Sequence, residues 1–142
     1  MKQAWIVLLG VLPSLTFAAE DMRQLVKMPP EARAELRAEM LDFQTALNSI
    51  ITSLGDGKLA DAADAAETQI GVSAMGRHRT APPSARPGMF MPNEMHAIAR
   101  GMHVSASEFA KTAKAGDTAK ALQALTAVTG ACVACHRSYR TQ

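Results

Sequence analysis

The chain has 142 residues, and 15 basic against 13 acidic side chains leave a formal charge of +2, a balance that excludes nucleic-acid binding driven by charge alone. With 48% of residues hydrophobic and 20% charged, disorder is excluded as the main state, and the length suits one domain. Aromatic residues make up only 4% while alanine supplies 27 residues, so the interior is short of large apolar side chains unless another apolar body fills it.

The N-terminus reads as an export signal. Lys2 is a one-charge leading region, Ala4 to Leu12 form an apolar stretch, Pro13 breaks it, and Thr16-Phe17-Ala18 or the following Ala19 offers small residues for cleavage. A membrane-spanning helix needs about 20 apolar residues, so this run is too short to anchor the chain. The expected organisation is a signal peptide over residues 1–18, with cleavage after 19 as the alternative, and a single domain over 19–142. The mature chain is expected to be soluble and exported, in a Gram-negative cell to the periplasm, without membrane insertion after processing. Trp5 and Phe17 would be lost with the signal, leaving Phe43, Phe90, Phe109 and Tyr139.

Four helical segments follow. Between Glu31 and Leu54 the large apolar residues Leu36, Met40, Phe43, Leu47, Ile50 and Leu54 recur at alternating steps of four and three, the pattern of a bundle-facing helix. Pro29 and Pro30 sit where a first turn tolerates them, and Gly55-Asp56-Gly57 ends the run. A helical lead-in is expected over Glu20 to Met28. The second helix is expected from Leu59 to Ala74, with Leu59, Ala63, Ala66 and Ile70 on one face and small residues that allow close helix approach. From Gly76 to Gly88, Pro82, Pro83 and Pro87 break any periodicity and form the one long connection. The third helix begins near Pro92 or Asn93, carries Met95, Ile98, Met102, Phe109 and Ala113 on one stripe, and ends near Gly116. Asp117 can cap the fourth, in which Leu122, Leu125, Val128, Cys132, His136 and Tyr139 continue the pattern almost to the C-terminus. No segment has the alternation of a β-strand. Short connections after the first and third helices predict an all-α, antiparallel up-down-up-down four-helix bundle, although a bundle with a purely structural core would show the same periodicity.

On the fourth helix, Cys132-Val133-Ala134-Cys135-His136 forms C-x-x-C-H, the attachment signature of c-type haem. Residues three apart share a helix face, so two thiols can form thioethers with the two vinyl groups of one porphyrin while the adjacent imidazole of His136 binds the iron. A thioredoxin-type dithiol opens a helix after a strand, whereas this motif lies late in a helix of an all-α chain. A zinc site needs two more ligands, and no second C-x-x-C or clustered His pair supplies them. One covalently attached haem c also answers the shortage of aromatics, because a porphyrin enclosed by the bundle replaces several aromatic side chains.

A four-helix pattern with a lone C-x-x-C-H at its C-terminal end resembles the class II c-type cytochromes, the cytochrome c-prime family and its low-spin relatives. The resemblance spans Glu31 to Arg140 and rests on Cys132 to His136, Tyr139 and Arg140, with Arg37 and Met40 on the first helix. It implies that Met40 faces the distal side of the haem and that Arg37 and Arg140 lie near the haem and its propionates. It also implies a choice of function: members with a coordinating methionine carry electrons, and five-coordinate members bind nitric oxide or carbon monoxide. Family members often pair through the first two helices, so a homodimer through them is a further implication. The Pro-rich connection and the Met/His-rich start of the third helix match no family feature.

Helix geometry gives an independent check on the second ligand. Met40 lies nine residues past Glu31, about 14 Å along, and His136 lies five before Thr141, about 8 Å from the adjacent end of the antiparallel fourth helix, at a rise of ~1.5 Å per residue. The two are level enough to face opposite sides of one haem. Met102 is a core-facing competitor at a similar level, and His96 and His103 share a neighbouring face; an open iron is the remaining alternative. Met89, Met91 and Phe90 read as a loop cap over the core, with weak copper binding as the other possibility. Thioether ligation suits electron transfer, so the expected function is that of a periplasmic electron carrier without catalytic turnover. Its partners would be redox proteins docking transiently near rim charges such as Arg137, Arg140 and Lys114.

Overall fold

The structure, a computed structural model, describes residues 20–142, so the expected signal peptide lies outside the described residues. Four helices account for most of the described chain: α1 over Pro30–Gly55, α2 over Leu59–Gln69, α3 over Asn93–Lys114 and α4 over Thr118–Ser138. They pack in chain order, α1 on α2, α2 on α3 and α3 on α4, giving the antiparallel bundle that the periodicity predicts.

Local chemistry sets the boundaries. Pro29 is extended at φ −56° and ψ 152°, and Pro30 opens α1 where a missing N–H costs nothing. Gly57, at φ +72°, provides the left-handed residue that turns the chain into α2. The second helix stops at Gln69, short of the expected Ala74, because other partners take its next backbone groups. Ser107 Oγ accepts from Val72 N at 2.9 Å, Glu67 Oε1 accepts from Ser73 N at 3.2 Å, and His103 Nδ1 donates to the Ile70 carbonyl at 2.5 Å. A short 3-10 turn, Val72–Ala74, follows, and two more, Pro83–Ala85 and Pro87–Met89, punctuate the long connection. Asp117 caps α4 as expected, its Oδ1 accepting from Lys120 N at 3.0 Å.

The expected helical lead-in over Glu20 to Met28 is instead an extended strap. Gln24–Leu25 (β1) pairs in parallel with Tyr139–Arg140 (β2), Gln24 opposite Tyr139 and Leu25 opposite Arg140, and Val26 N donates to the Arg140 carbonyl at 2.7 Å. Pro29 disfavours helix at the residue before it, and burial of Val26 at 3% exposure holds the strap in place. For the same reason α4 ends at Ser138, before the expected terminus.

The core is built from small residues. Ala62, Ala63 and Ala66 of α2 and Ala106, Ala110 and Ala113 of α3 are all buried with Phe43, Ile50, Leu54, Ile70 and Phe109 in one cluster. In α4 the buried stripe is Ala121, Leu125 and Val128, while Leu122, expected inside, is half-exposed. Close approach to the alanine face of α3 favours the smaller Ala121 at the inner position. Val26, Leu36 and Met95 form a second, smaller cluster at the end where the strap crosses. Among the described residues α4 is the one helix long and apolar enough to cross a membrane by length and composition.

Candidate cofactor site

The C-x-x-C-H motif occupies the last two turns of α4, and beyond Val128 no residue of that helix is buried although Ala131 to Cys135 are all apolar. Cys132 and Cys135 are half-buried free thiols. Burial pushes both thiols above the ordinary cysteine range, and the neighbouring Cys132 pushes Cys135 further. A dithiol redox site depends on the opposite, a thiolate favoured by a helix N-terminus or a nearby cation. Here the pair lies at the helix C-terminus, where the dipole also opposes a thiolate. Cys132 Sγ lies 3.6 Å from the Val128 carbonyl and 3.9 Å from Met102 Sδ. His136 is exposed, and among the described residues its ring makes no hydrogen bond.

The two cysteines look onto different apolar clusters. Cys132 packs against the large one, with Met102 and Phe43, and Cys135 against the small one, with Met95, Met91, Met28 and Tyr139. Met40, half-buried on α1, packs against both. The closely paired helices are the sequential neighbours, and α1 and α4 make no comparably close pair. Two thiols, an imidazole and thioether sulfurs form a donor set that fits a covalently attached haem, and the apolar clusters on either side suit a porphyrin's faces. Among the described residues no group of three or more His, Cys, Asp or Glu is gathered to hold a metal ion, which leaves the zinc alternative without ligands.

The structure brings Arg37 and Arg140 together through the last residue: Arg37 Nη2 donates to Gln142 Oε1 at 2.7 Å and Arg140 Nη1 to the Gln142 carbonyl at 3.2 Å. Sequence reasoning missed two further arginines at this end. Arg33 Nη1 donates to the Thr141 carbonyl at 3.3 Å, and Arg23 Nη1 to the His136 carbonyl at 3.4 Å. Their spacing gives no hint of this, since each meets a residue more than a hundred positions away. Lys114, expected among the rim charges, is displaced from the site. It pairs with Asp64 at 2.9 Å beside the α3–α4 turn, and Cys132 lies 14 residues into α4, about 21 Å further along.

The competing ligands have other partners. His103 is held by the Ile70 carbonyl and meets the Phe43 ring edge-on, with centroids 5.9 Å apart. His96 Nδ1 accepts from Arg100 Nη2 at 3.2 Å. His78 is wedged between Glu35 and Glu39 of α1.

A four-helix bundle whose last helix carries C-x-x-C-H between two apolar clusters defines a haem protein of the c type. Residues 74–140 match the family model described as Cytochrome C', which supports the cytochrome c-prime family, the class II c-type cytochromes. The match runs from the end of the first 3-10 turn through the motif to Arg140, so α1, with Arg37 and Met40, lies outside it. That family implies covalently bound haem c. No curated protein and no solved structure matches the chain.

Proposed function

We propose that this chain is an exported monohaem cytochrome that carries single electrons in the periplasm, with one haem c bound through thioethers to Cys132 and Cys135 and its iron ligated by His136 and Met40. The observation that carries this reading is the position of Met40, the side chain that packs against both the Cys132 cluster and the Cys135 cluster. A haem tethered at both thiols would be held beside both clusters, against which Met40 packs.

The group supplies a one-electron couple at iron. The apolar clusters beside Cys132 and Cys135 would hold it, and a methionine sulfur on α1 would favour the reduced state relative to a harder ligand. His136 and Met40, on two helices of the bundle, would hold the iron in fixed surroundings, which suits electron transfer with little reorganisation. Arg37 and Arg140, joined through Gln142, would balance the propionates. The strap closes the end of the site, with Val26 and Met28 against the Cys135 cluster. No general base or nucleophile is part of this arrangement, and the reading assigns the protein no catalytic turnover. Redox proteins are its proposed partners, met transiently. Exposed Leu41 and Ile51 on α1 leave room for the homodimer through α1 and α2.

The test is an absorption spectrum of the ferrous and ferric protein, with and without carbon monoxide, after expression in a host that attaches haem. Sharp low-spin bands unmoved by the gas support ligation by Met40. High-spin bands that shift with the gas replace electron transfer by the second reading, a protein that binds nitric oxide or carbon monoxide at an open distal site. A bare polypeptide mass overturns both.

A further inference from the structure

The α2–α3 connection is fastened to α1 by a short ladder of polar contacts. Glu35, Glu39 and Asp42 fall at steps of four and three on α1, one acidic face, and the consecutive Arg77 and His78 lie along it. Arg77 Nη2 meets Asp42 Oδ2 at 2.5 Å. His78 Nδ1 lies 3.5 Å from Glu35 Oε2, and its Nε2 lies 3.5 Å from Glu39 Oε1. The His78 and Glu39 side chains are 16% and 15% exposed, and Nε2 is buried without a hydrogen-bond partner, so Glu39 is the polar group it faces. A surface pair alone contributes little, but two neighbouring residues lying within 3.5 Å of three carboxylates of one helix fix a geometry.

Beyond the ladder the connection is stiff. Pro82, Pro83 and Pro87 restrict its backbone, Ala85 and Pro87 are buried, and the turns Pro83–Ala85 and Pro87–Met89 lie on α1. Its far end, Met91, packs into the cluster that holds Met40, Met28 and Cys135. Met40 occupies the same turn of α1 as Glu39 and Asp42. The connection is therefore pinned by polar contacts at one end and by apolar packing beside the cofactor site at the other.

We propose that residues 76–91 form a lid over the Met40 side of the haem cleft, and that Arg77 and His78 are positioning residues that hold it down and so set how readily small molecules reach the iron. This rests on the haem reading above. It goes beyond that reading by giving the Pro-rich connection a role in ligand access.

The test uses the haem-loaded protein in four forms: unaltered, His78→Gln, Arg77→Asp, and the charge swap Arg77→Asp with Asp42→Arg. Two quantities are read, amide hydrogen exchange across residues 76–91 and stopped-flow binding of imidazole to the ferric iron. Loss of one rung is expected to raise both association and dissociation rates about fivefold, the equivalent of roughly 1 kcal/mol. The affinity and the resting spectrum should stay nearly constant, and exchange should quicken in 76–91 alone. The swap should restore both. Unchanged exchange, unchanged rates, or a changed affinity and spectrum would each overturn the lid. Absence of a Soret band would sink the haem reading instead, and the exchange measurement would still show whether the ladder pins the connection.

Discussion

Replacing Met40 by alanine separates packing from ligation, because the structure ranks the methionines differently on the two counts. Met102 is 7% exposed in the large cluster, 3.9 Å from Cys132 Sγ, whereas Met40 is only half-buried. A fully buried methionine truncated to alanine costs about 2–5 kcal/mol, so Met102→Ala falls in that range and Met40→Ala, by packing alone, at about half of it. Denaturant unfolding of the haem-loaded variants should therefore show Met102→Ala with a loss of about 2–4 kcal/mol. Its low-spin spectrum should be unchanged. Met40→Ala should lose more than its packing share of about 1–2 kcal/mol, and its iron should become high-spin and bind carbon monoxide. The two assays are thus expected to disagree about which residue matters more. A Met40→Ala protein that stays low-spin, or a Met102→Ala protein that turns high-spin, would refute the assignment of the second ligand.

Three further outcomes follow from particular contacts. Hydrogen bonding to Arg23 holds the Asp21 carboxyl at about 2, below its ordinary 3.8, so its contribution to the strap is present above pH 3.8 and lost as the pH falls toward 2. NMR of the Val26 amide should follow that loss, Asp21→Asn should abolish the step, and high salt should weaken it, because the pair is fully exposed. Ala66→Leu inserts bulk at a position 1% exposed in the alanine core and should lower stability by about 1–3 kcal/mol in urea unfolding; a neutral result would mean that the helices are less closely packed. Asp117→Ala removes the side chain that caps Lys120 N and should cost about 1 kcal/mol, lowering the melting temperature by about 2–5 °C without altering the haem spectrum.

Where sequence and structure agree, the signal was local. The apolar steps from Leu36 to Leu54 name the buried face of α1 and Asp117 names its own cap, because each depends on residues within a few turns. The strap was read as a helix because nothing local distinguishes it. Its state is decided by Val26 meeting Arg140 and by Arg23 meeting His136, contacts that exist only once the ends of the chain are brought together. The same limit hid Arg33, and it hid the role of His78, whose two partners are on α1 rather than in its own loop. Leu122 failed for a different reason. The three-and-four step fits two adjacent helix faces in an alanine-rich segment, and only the approach of α3 selects Ala121 over it.

Small side chains and the terminal motif are two sides of one design. Alanines let α2, α3 and α4 approach closely over the length occupied by Ala62 to Ala66, Ala106 to Ala113 and Ala121, and Phe109, Ile50 and Ile70 suffice to fill what remains there. That economy ends at Val128. Past it the apolar residues of α4 are no longer fully buried, and the clusters that Cys132 and Cys135 join include five methionines, Met40, Met102, Met28, Met91 and Met95. Methionine is flexible and polarisable, suited to lining a surface whose final shape is set by a bound partner rather than by neighbouring helices. One end of the bundle is thus closed by its own packing, while the other, by this reading, is closed by a porphyrin that the strap and the ladder of polar contacts hold from two sides.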